Sequence, residues 1–165
     1  MKKYLYIFLI SMVPLIELRG AIPFAYIYKA ADPSFKLVWA YIIIALGNML
    51  PVPFIFFFAR KILEWGSKSN IPVVGQFFSW CLEKGHKGGE KLQAKAGRGL
   101  FVALMLFVGI PLPGTGAWTG TLAASLLDMK FKESVLAVIC GVILASIIVG
   151  LICTLGLGAW LGIKG

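Results

Sequence analysis

An acid and a base stand two residues apart inside an apolar run, in Glu17-Leu18-Arg19-Gly20-Ala21-Ile22-Pro23. A charge near the centre of a membrane helix costs about 2.5 to 3.5 kcal/mol on insertion scales, so such a residue is paired, faces a cavity or works. Two uses are open. The pair can lock a helix break as a mutual ion pair, which an unwound segment permits even though residues two apart on a regular helix point to different faces. Alternatively Arg19 holds an anionic group and Glu17 gains and loses a proton under the influence of desolvation and a nearby cation.

A second stretch offers donors without side chains over them: Gly109-Ile110-Pro111-Leu112-Pro113-Gly114-Thr115-Gly116-Ala117-Trp118-Thr119-Gly120. Backbone N–H groups around Gly114 and Gly116, just ahead of a new helix, attract anions. Thr115 and Thr119 can add hydroxyls, and Trp118 can line an apolar wall. Turn chemistry for a tight hairpin would demand the same glycines. Arg60, closing Phe56-Phe57-Phe58-Ala59-Arg60, either snorkels to the interface or contacts a headgroup. Asn48, beside Gly47, is a buried amide that can be structural glue.

Other chemistry is poorly supplied. His86 is the single histidine, set among lysines, and the three cysteines form no C-x-x-C pair, so no metal site, disulfide framework or cofactor is expected. No Walker pattern occurs, and the apolar blocks contain one acid and no histidine, so hydrolysis of a substrate is not expected and the chain is read as a non-enzyme.

The elements that position these residues lie in a membrane. With 59% hydrophobic and 14% charged residues among 165, the composition is far from that of a soluble domain. The formal charge of +9 then signifies cytoplasmic loops and anionic headgroups rather than nucleic acid. Met1-Lys2-Lys3 followed by apolar residues resembles a secretory signal, but the run continues past the usual length and carries Glu17 and Arg19, so it is taken as part of the mature chain.

Four apolar blocks run over about 4–28, 37–59, 100–127 and 134–163. The second and fourth are long enough to span about 30 Å of hydrocarbon, with a kink expected around Gly47, Asn48, Pro51 and Pro53. The first and third are interrupted, by Pro14, Glu17, Arg19, Gly20 and Pro23 in one and by Gly109, Pro111, Pro113, Gly114 and Gly116 in the other. Each should break into half-helices around irregular backbone, the form of a re-entrant hairpin. Gly20, Pro23, Pro111 and Pro113 are the expected structural residues of these hairpins.

An offset of 94 residues pairs Leu18 with Leu112, Gly20 with Gly114, Phe24 with Trp118, Ala30 with Ala124, Lys36 with Lys130 and Gly47 with Gly141. This suggests two repeats, 1–60 and 100–165, each a broken hairpin followed by a spanning helix, the second inverted. Between them lies a basic linker, 61–99, in which Val74, Phe77, Phe78 and Cys81 share one helical face; it lies in the headgroup layer or packs on the core. Eight of the sixteen Lys and Arg fall between 60 and 98, which places that stretch in the cytoplasm. Charge does not decide whether the broken blocks span or return. The fold expected is an all-α integral membrane protein of a single transmembrane domain.

The two motifs together resemble the small multidrug export protein family over most of the chain and are more distantly similar to the DedA superfamily. The resemblance implies a multi-pass protein of a prokaryotic inner membrane with two inverted re-entrant hairpins. DedA-like relatives are associated with proton-dependent translocation of polyprenyl or phospholipid phosphates and with drug resistance. By position, Glu17 matches the acid of the first hairpin, Arg60 the arginine of a Phe-x-x-x-Arg pattern, and 111–114 the Pro-x-Pro-Gly of the second. Thr115 stands where that pattern has a second acid.

Two functions follow. In the first, an anionic lipid phosphate such as a polyprenyl phosphate is held by Arg19, Arg60, Gly114, Thr115, Gly116, Trp118 and Thr119 while Glu17 couples to protons. In the second, Glu17 exchanges protons for a small lipophilic cationic drug, a use that Arg19 opposes. Small residues spaced by four on the last helix, Gly141 with Ala145, Ser146 with Gly150 and Gly158 with Gly162, suggest a homodimer or higher homo-oligomer.

Overall fold

The computed structural model describes residues 2–14, 16–68, 76, 79, 98–112 and 114–160. Seven helices occur among them: α1 (Lys2–Met12), α2 (Glu17–Ala31), α3 (Leu37–Met49), α4 (Val52–Ser67), α5 (Arg98–Gly109), α6 (Ala117–Leu126) and α7 (Phe131–Trp160). No strand occurs among the described residues. The expected amphipathic face of Val74, Phe77, Phe78 and Cys81 lies outside them, as do His86 and Pro113.

Each half runs in the same order: short helix, break, short helix, tight loop, long helix. The stretches 37–58 and 131–156, with mean hydropathies of 2.0 and 3.1, are long and apolar enough to cross a membrane. Between α3 and α4 the chain turns at Leu50 and Pro51, where the kink was expected. Hydrogen bonding resumes at once on both sides, from Leu50 N–H to the Leu46 carbonyl at 3.0 Å and from Ile55 N–H to the Pro51 carbonyl at 2.9 Å. The proline therefore bends the run without ending it.

In the first half the chain folds back on itself. Lys3 Nζ lies 2.8 Å from Asp32 Oδ2, the Tyr4 ring stacks on Phe35 at 4.6 Å between centroids, and Lys36 N–H donates to the Tyr4 hydroxyl at 3.0 Å. The start of α1 thus meets the end of α2. In the second half, a Cβ at Gly120 would lie 2.5 Å from Val108 Cγ2 and 3.3 Å from Leu104 Cδ1, so α6 returns along α5 and only glycine permits so close an approach.

The break in the first half is shorter and earlier than the sequence suggested. It falls between Met12, the end of α1, and Glu17, the start of α2, and Arg19, Gly20 and Pro23 all lie within α2. Pro23 removes one bond to the Arg19 carbonyl, and the surrounding turns carry the helix past it. Gly20 still serves the hairpin, because a Cβ there would meet Ile16 Cγ2 at 2.3 Å.

One packing contact recurs in both halves. A Cβ at Gly47 would lie 2.8 Å from the Phe8 carbonyl oxygen and 2.1 Å from Ser11 Oγ; one at Gly141 would lie 2.8 Å from the Met105 carbonyl oxygen and 2.6 Å from Val108 Cβ. In each case a glycine of the long helix lies directly on the backbone of the half's first helix, touching residues spaced by three. The stretch between is shorter in the second half, because α6 has 10 residues against 15 in α2.

The interior is built from small and branched residues such as Ala21, Ala25, Ala40, Ala137 and Ala145, while Val38, Leu46, Ile147 and Leu155 stand outward. That distribution suits lipid as the outer solvent, where close helix approach rather than apolar burial drives packing. Gly141 and Gly150 each pack against another helix of the same chain, and Ala145 is fully buried. Of the small residues read from sequence as a surface for a second copy, these three are engaged within the chain. Gly162 lies outside the described residues.

Candidate functional site

The breaks of the two hairpins meet, and the charged pair of the first reaches into the second. Glu17, at the start of α2, is 3% exposed and takes a left-handed backbone conformation, φ +50°, which is uncommon for a residue other than glycine. Its carboxylate accepts hydrogen bonds from the Trp118 N–H at 3.0 Å and the Ala117 N–H at 3.3 Å. These are the first two residues of α6, whose N–H groups have no partner within the helix. A carboxylate from 100 residues away therefore caps the positive end of α6.

Arg19 takes the opposite end of the same break. Its guanidinium donates from Nη1 to the Leu112 carbonyl, and from Nη2 to the Ile110 carbonyl at 3.4 Å and to Thr115 Oγ1 at 2.7 Å. The Ile110 and Leu112 carbonyls follow directly on α5, where the helix dipole is negative. The Thr115 hydroxyl lies 2.9 Å from each of the two carbonyls and ties the loop together beneath the guanidinium. Charge-assisted hydrogen bonds of this kind contribute about 1.5 to 3 kcal/mol each.

Glu17 and Arg19 form no ion pair within 4 Å among the described residues. They are partners of the second hairpin rather than of each other, so the mutual ion pair considered from sequence is not the arrangement found. Each charge meets the complementary end of a half-helix.

The glycines divide by role. Gly116, the N-cap of α6, has φ +147° and is buried, and a Cβ there would lie 2.1 Å from Glu17 Oε2. Gly114 has φ +82° with open space where its Cβ would be, so its requirement is conformational alone. The donors expected around Gly114 and Gly116 are those of Ala117 and Trp118, and the anion they hold is Glu17. Thr119 Oγ1 is 3.5 Å from the Gly116 carbonyl, a weak contact within the first turn of α6. Pro111 lies inside the turn closed by Leu112 N–H donating to the Ile110 carbonyl at 2.8 Å. For Arg60 the structure describes the backbone, in α4, and not the side chain.

Some buried polar atoms have no partner within the protein. Arg19 Nε and Trp118 Nε1 are buried donors with no acceptor, and both side-chain atoms of Asn48, itself fully buried, are also without partners. Buried polar groups are nearly always satisfied, so each such atom requires an explanation. The Trp118 indole was expected as an apolar wall; its free N–H is a feature the sequence did not disclose. Nor did it disclose the Ser125 hydroxyl, which donates to the Phe56 carbonyl at 2.8 Å and joins α6 to α4. Among the described residues no three His, Cys, Asp or Glu gather as metal ligands.

The model of a family described as "Putative small multi-drug export protein" matches residues 17–148, from the Glu17 that caps α6 to the middle of α7. No curated protein and no solved structure matches the chain.

Proposed function

The chain belongs to the small multi-drug export protein family, and from that premise we propose that it is a proton-coupled membrane transporter of an anionic amphiphile, such as a polyprenyl phosphate. The observation that carries this reading is the seat of Glu17. Its carboxylate occupies two free N–H groups at a helix N-terminus, a place suited to any oxyanion. Arg19 Nε and Trp118 Nε1 stand by as donors without an acceptor.

Glu17 acts as a resident anion that a substrate replaces. Protonation removes its charge and its claim on the Ala117 and Trp118 N–H groups. A phosphate then takes them, with Arg19 and Thr115 beside it and its tail left in lipid. Proton and anion thus bind together, and Glu17 resumes its seat when both have gone. In this reading each hairpin returns to its own side of a prokaryotic plasma membrane, the second repeat is inverted, as in the DedA-like architecture, and the basic middle stretch is cytoplasmic. A second copy completes the pathway, which cross-linking in native membranes tests.

The second reading, export of lipophilic cations, is favoured by the family description itself. Against it stands the Arg19 guanidinium beside the only acid of the first two hairpin helices. The two readings differ in the sign of their pH dependence. Binding of polyprenyl phosphate and of a lipophilic cation to purified protein is measured from pH 5 to 8 for wild type, Glu17→Gln and Arg19→Gln. Phosphate binding that strengthens as pH falls, loses its pH dependence in Glu17→Gln and disappears in Arg19→Gln is expected. Cation binding that strengthens as pH rises and vanishes in Glu17→Gln overturns the anion reading and establishes the other.

A further inference from the structure

A groove of about 610 Å³ runs between α2, α3 and α7, apart from the hairpin junction, and no step described above uses it. Its size is that of a small-molecule site. Ile143, Ile147, Leu151 and Leu155 form its outer wall and face the lipid side, all exposed, and no lining residue is charged.

Four hydroxyls line it; that of Ser146 donates to the Val142 carbonyl of its own helix at 2.7 Å, and the other three are joined to one another. Tyr26 Oη lies 3.0 Å from Thr154 Oγ1 and 3.3 Å from Tyr41 Oη, and the Thr154 hydroxyl donates to the Gly150 carbonyl at 2.8 Å. Each hydroxyl has one proton to give. With Thr154 donating to Gly150, all three bonds can be made at once only if Tyr26 donates to Thr154 and Tyr41 donates to Tyr26. In that arrangement the open end is the Tyr41 oxygen, whose proton is engaged by Tyr26 and whose remaining lone pair can accept. Gly150 makes the arrangement possible, because a Cβ there would lie 2.1 Å from Tyr41 Oη.

We infer that this groove binds a neutral lipophile whose polar group is a hydrogen-bond donor, a lipophilic alcohol, with the hydroxyl on the Tyr41 oxygen and the apolar body along α7. Other ligands fit this position less well. A phosphate or carboxylate would have to break the Tyr41–Tyr26 bond to obtain a donor, and a cation would find no counter-charge in an apolar wall. The groove therefore selects a ligand unlike the anion proposed for the junction, and the inference stands whether or not that proposal holds.

The test uses the full chain in lipid nanodiscs and a diazirine-bearing dodecanol as photolabel, with dodecanol and dodecyl methyl ether as competitors. Adducts are expected on 41–45 and 142–155. Dodecanol should compete about three- to tenfold better than the ether, the difference one hydrogen bond makes. Tyr41→Phe should bring the alcohol down to the level of the ether. Thr154→Val frees the Tyr26 proton, lets the relay reverse and should abolish the preference without emptying the groove. Adducts spread equally over outward residues of α4 such as Phe54 and Phe57, equal competition by alcohol and ether, or an unchanged preference in both variants would each overturn the inference.

Discussion

The Glu17 carboxylate fills the space that a side chain at position 116 would occupy, with Oε2 2.1 Å from where a Cβ on Gly116 would stand. Position 116 is thereby constrained twice, by its φ of +147° and by an acid from the other hairpin. Gly116→Ala is expected to destabilise the protein by about 2 to 4 kcal/mol, from backbone strain and overpacking together. Glu17→Ala removes the collision but not the strain. The double variant should therefore fall short of additivity by about 1 kcal/mol or more, read from thermal unfolding of the four proteins in one detergent. Full additivity would mean that the two residues do not share this space.

Arg19 and lysine are not equivalent at this position. The guanidinium reaches two carbonyls and the Thr115 hydroxyl at once, and an ammonium on a flexible stem cannot hold that spread. Arg19→Lys should cost about 1 to 3 kcal/mol although the charge is kept. It should also speed amide hydrogen exchange at Leu112 and Thr115. Unchanged exchange there would show that the second hairpin holds its break without Arg19.

Asn48 is fully buried with its amide unpartnered, while the residue 94 positions later, at the offset that aligns Gly47 with Gly141, is Val142, also buried. Asn48→Val gives the first half what the second already has. It should raise stability by about 1 kcal/mol, since an unsatisfied buried polar group is replaced by an apolar one. If transport is lost in the same variant, the amide is retained for function; a fall in stability would mean that it has a partner in the membrane.

At the base of the first hairpin the Asp32 carboxyl is held down to about 2, from 3.8, by a hydrogen bond from Lys3 and two from Ser34. A carboxyl lowered in the folded state contributes stability above its ordinary range and loses it as pH falls through the folded value. The contact between the start of α1 and the end of α2 should therefore weaken between about pH 4 and pH 2. Hydrogen exchange over 32–36 checks this, and in Asp32→Asn the acid-dependent part should be absent. An identical profile in the two proteins would remove Asp32 from the account.

Much of this molecule is set by order along the chain. Apolar runs of 22 and 26 residues make helices long enough to cross a membrane, prolines and glycines interrupt the other runs, and the offset of 94 aligns Gly47 with Gly141, each of which lies against a backbone carbonyl, of α1 and of α5 respectively. These are local or repeated properties, carried by hydropathy and backbone chemistry. What Glu17 and Arg19 do is not local. Two residues apart, they read as a pair or as a ligand site, and only folding reveals that the second hairpin arrives with the positive end of one half-helix and the negative end of another. The hydroxyl relay of Tyr26, Tyr41 and Thr154 was equally hidden, because its members come from three helices and lie up to 128 residues apart. Hydropathy assigns a residue to the membrane; which dipole, carbonyl or hydroxyl it meets there depends on helices brought together across the whole chain, and only the tertiary structure decides that.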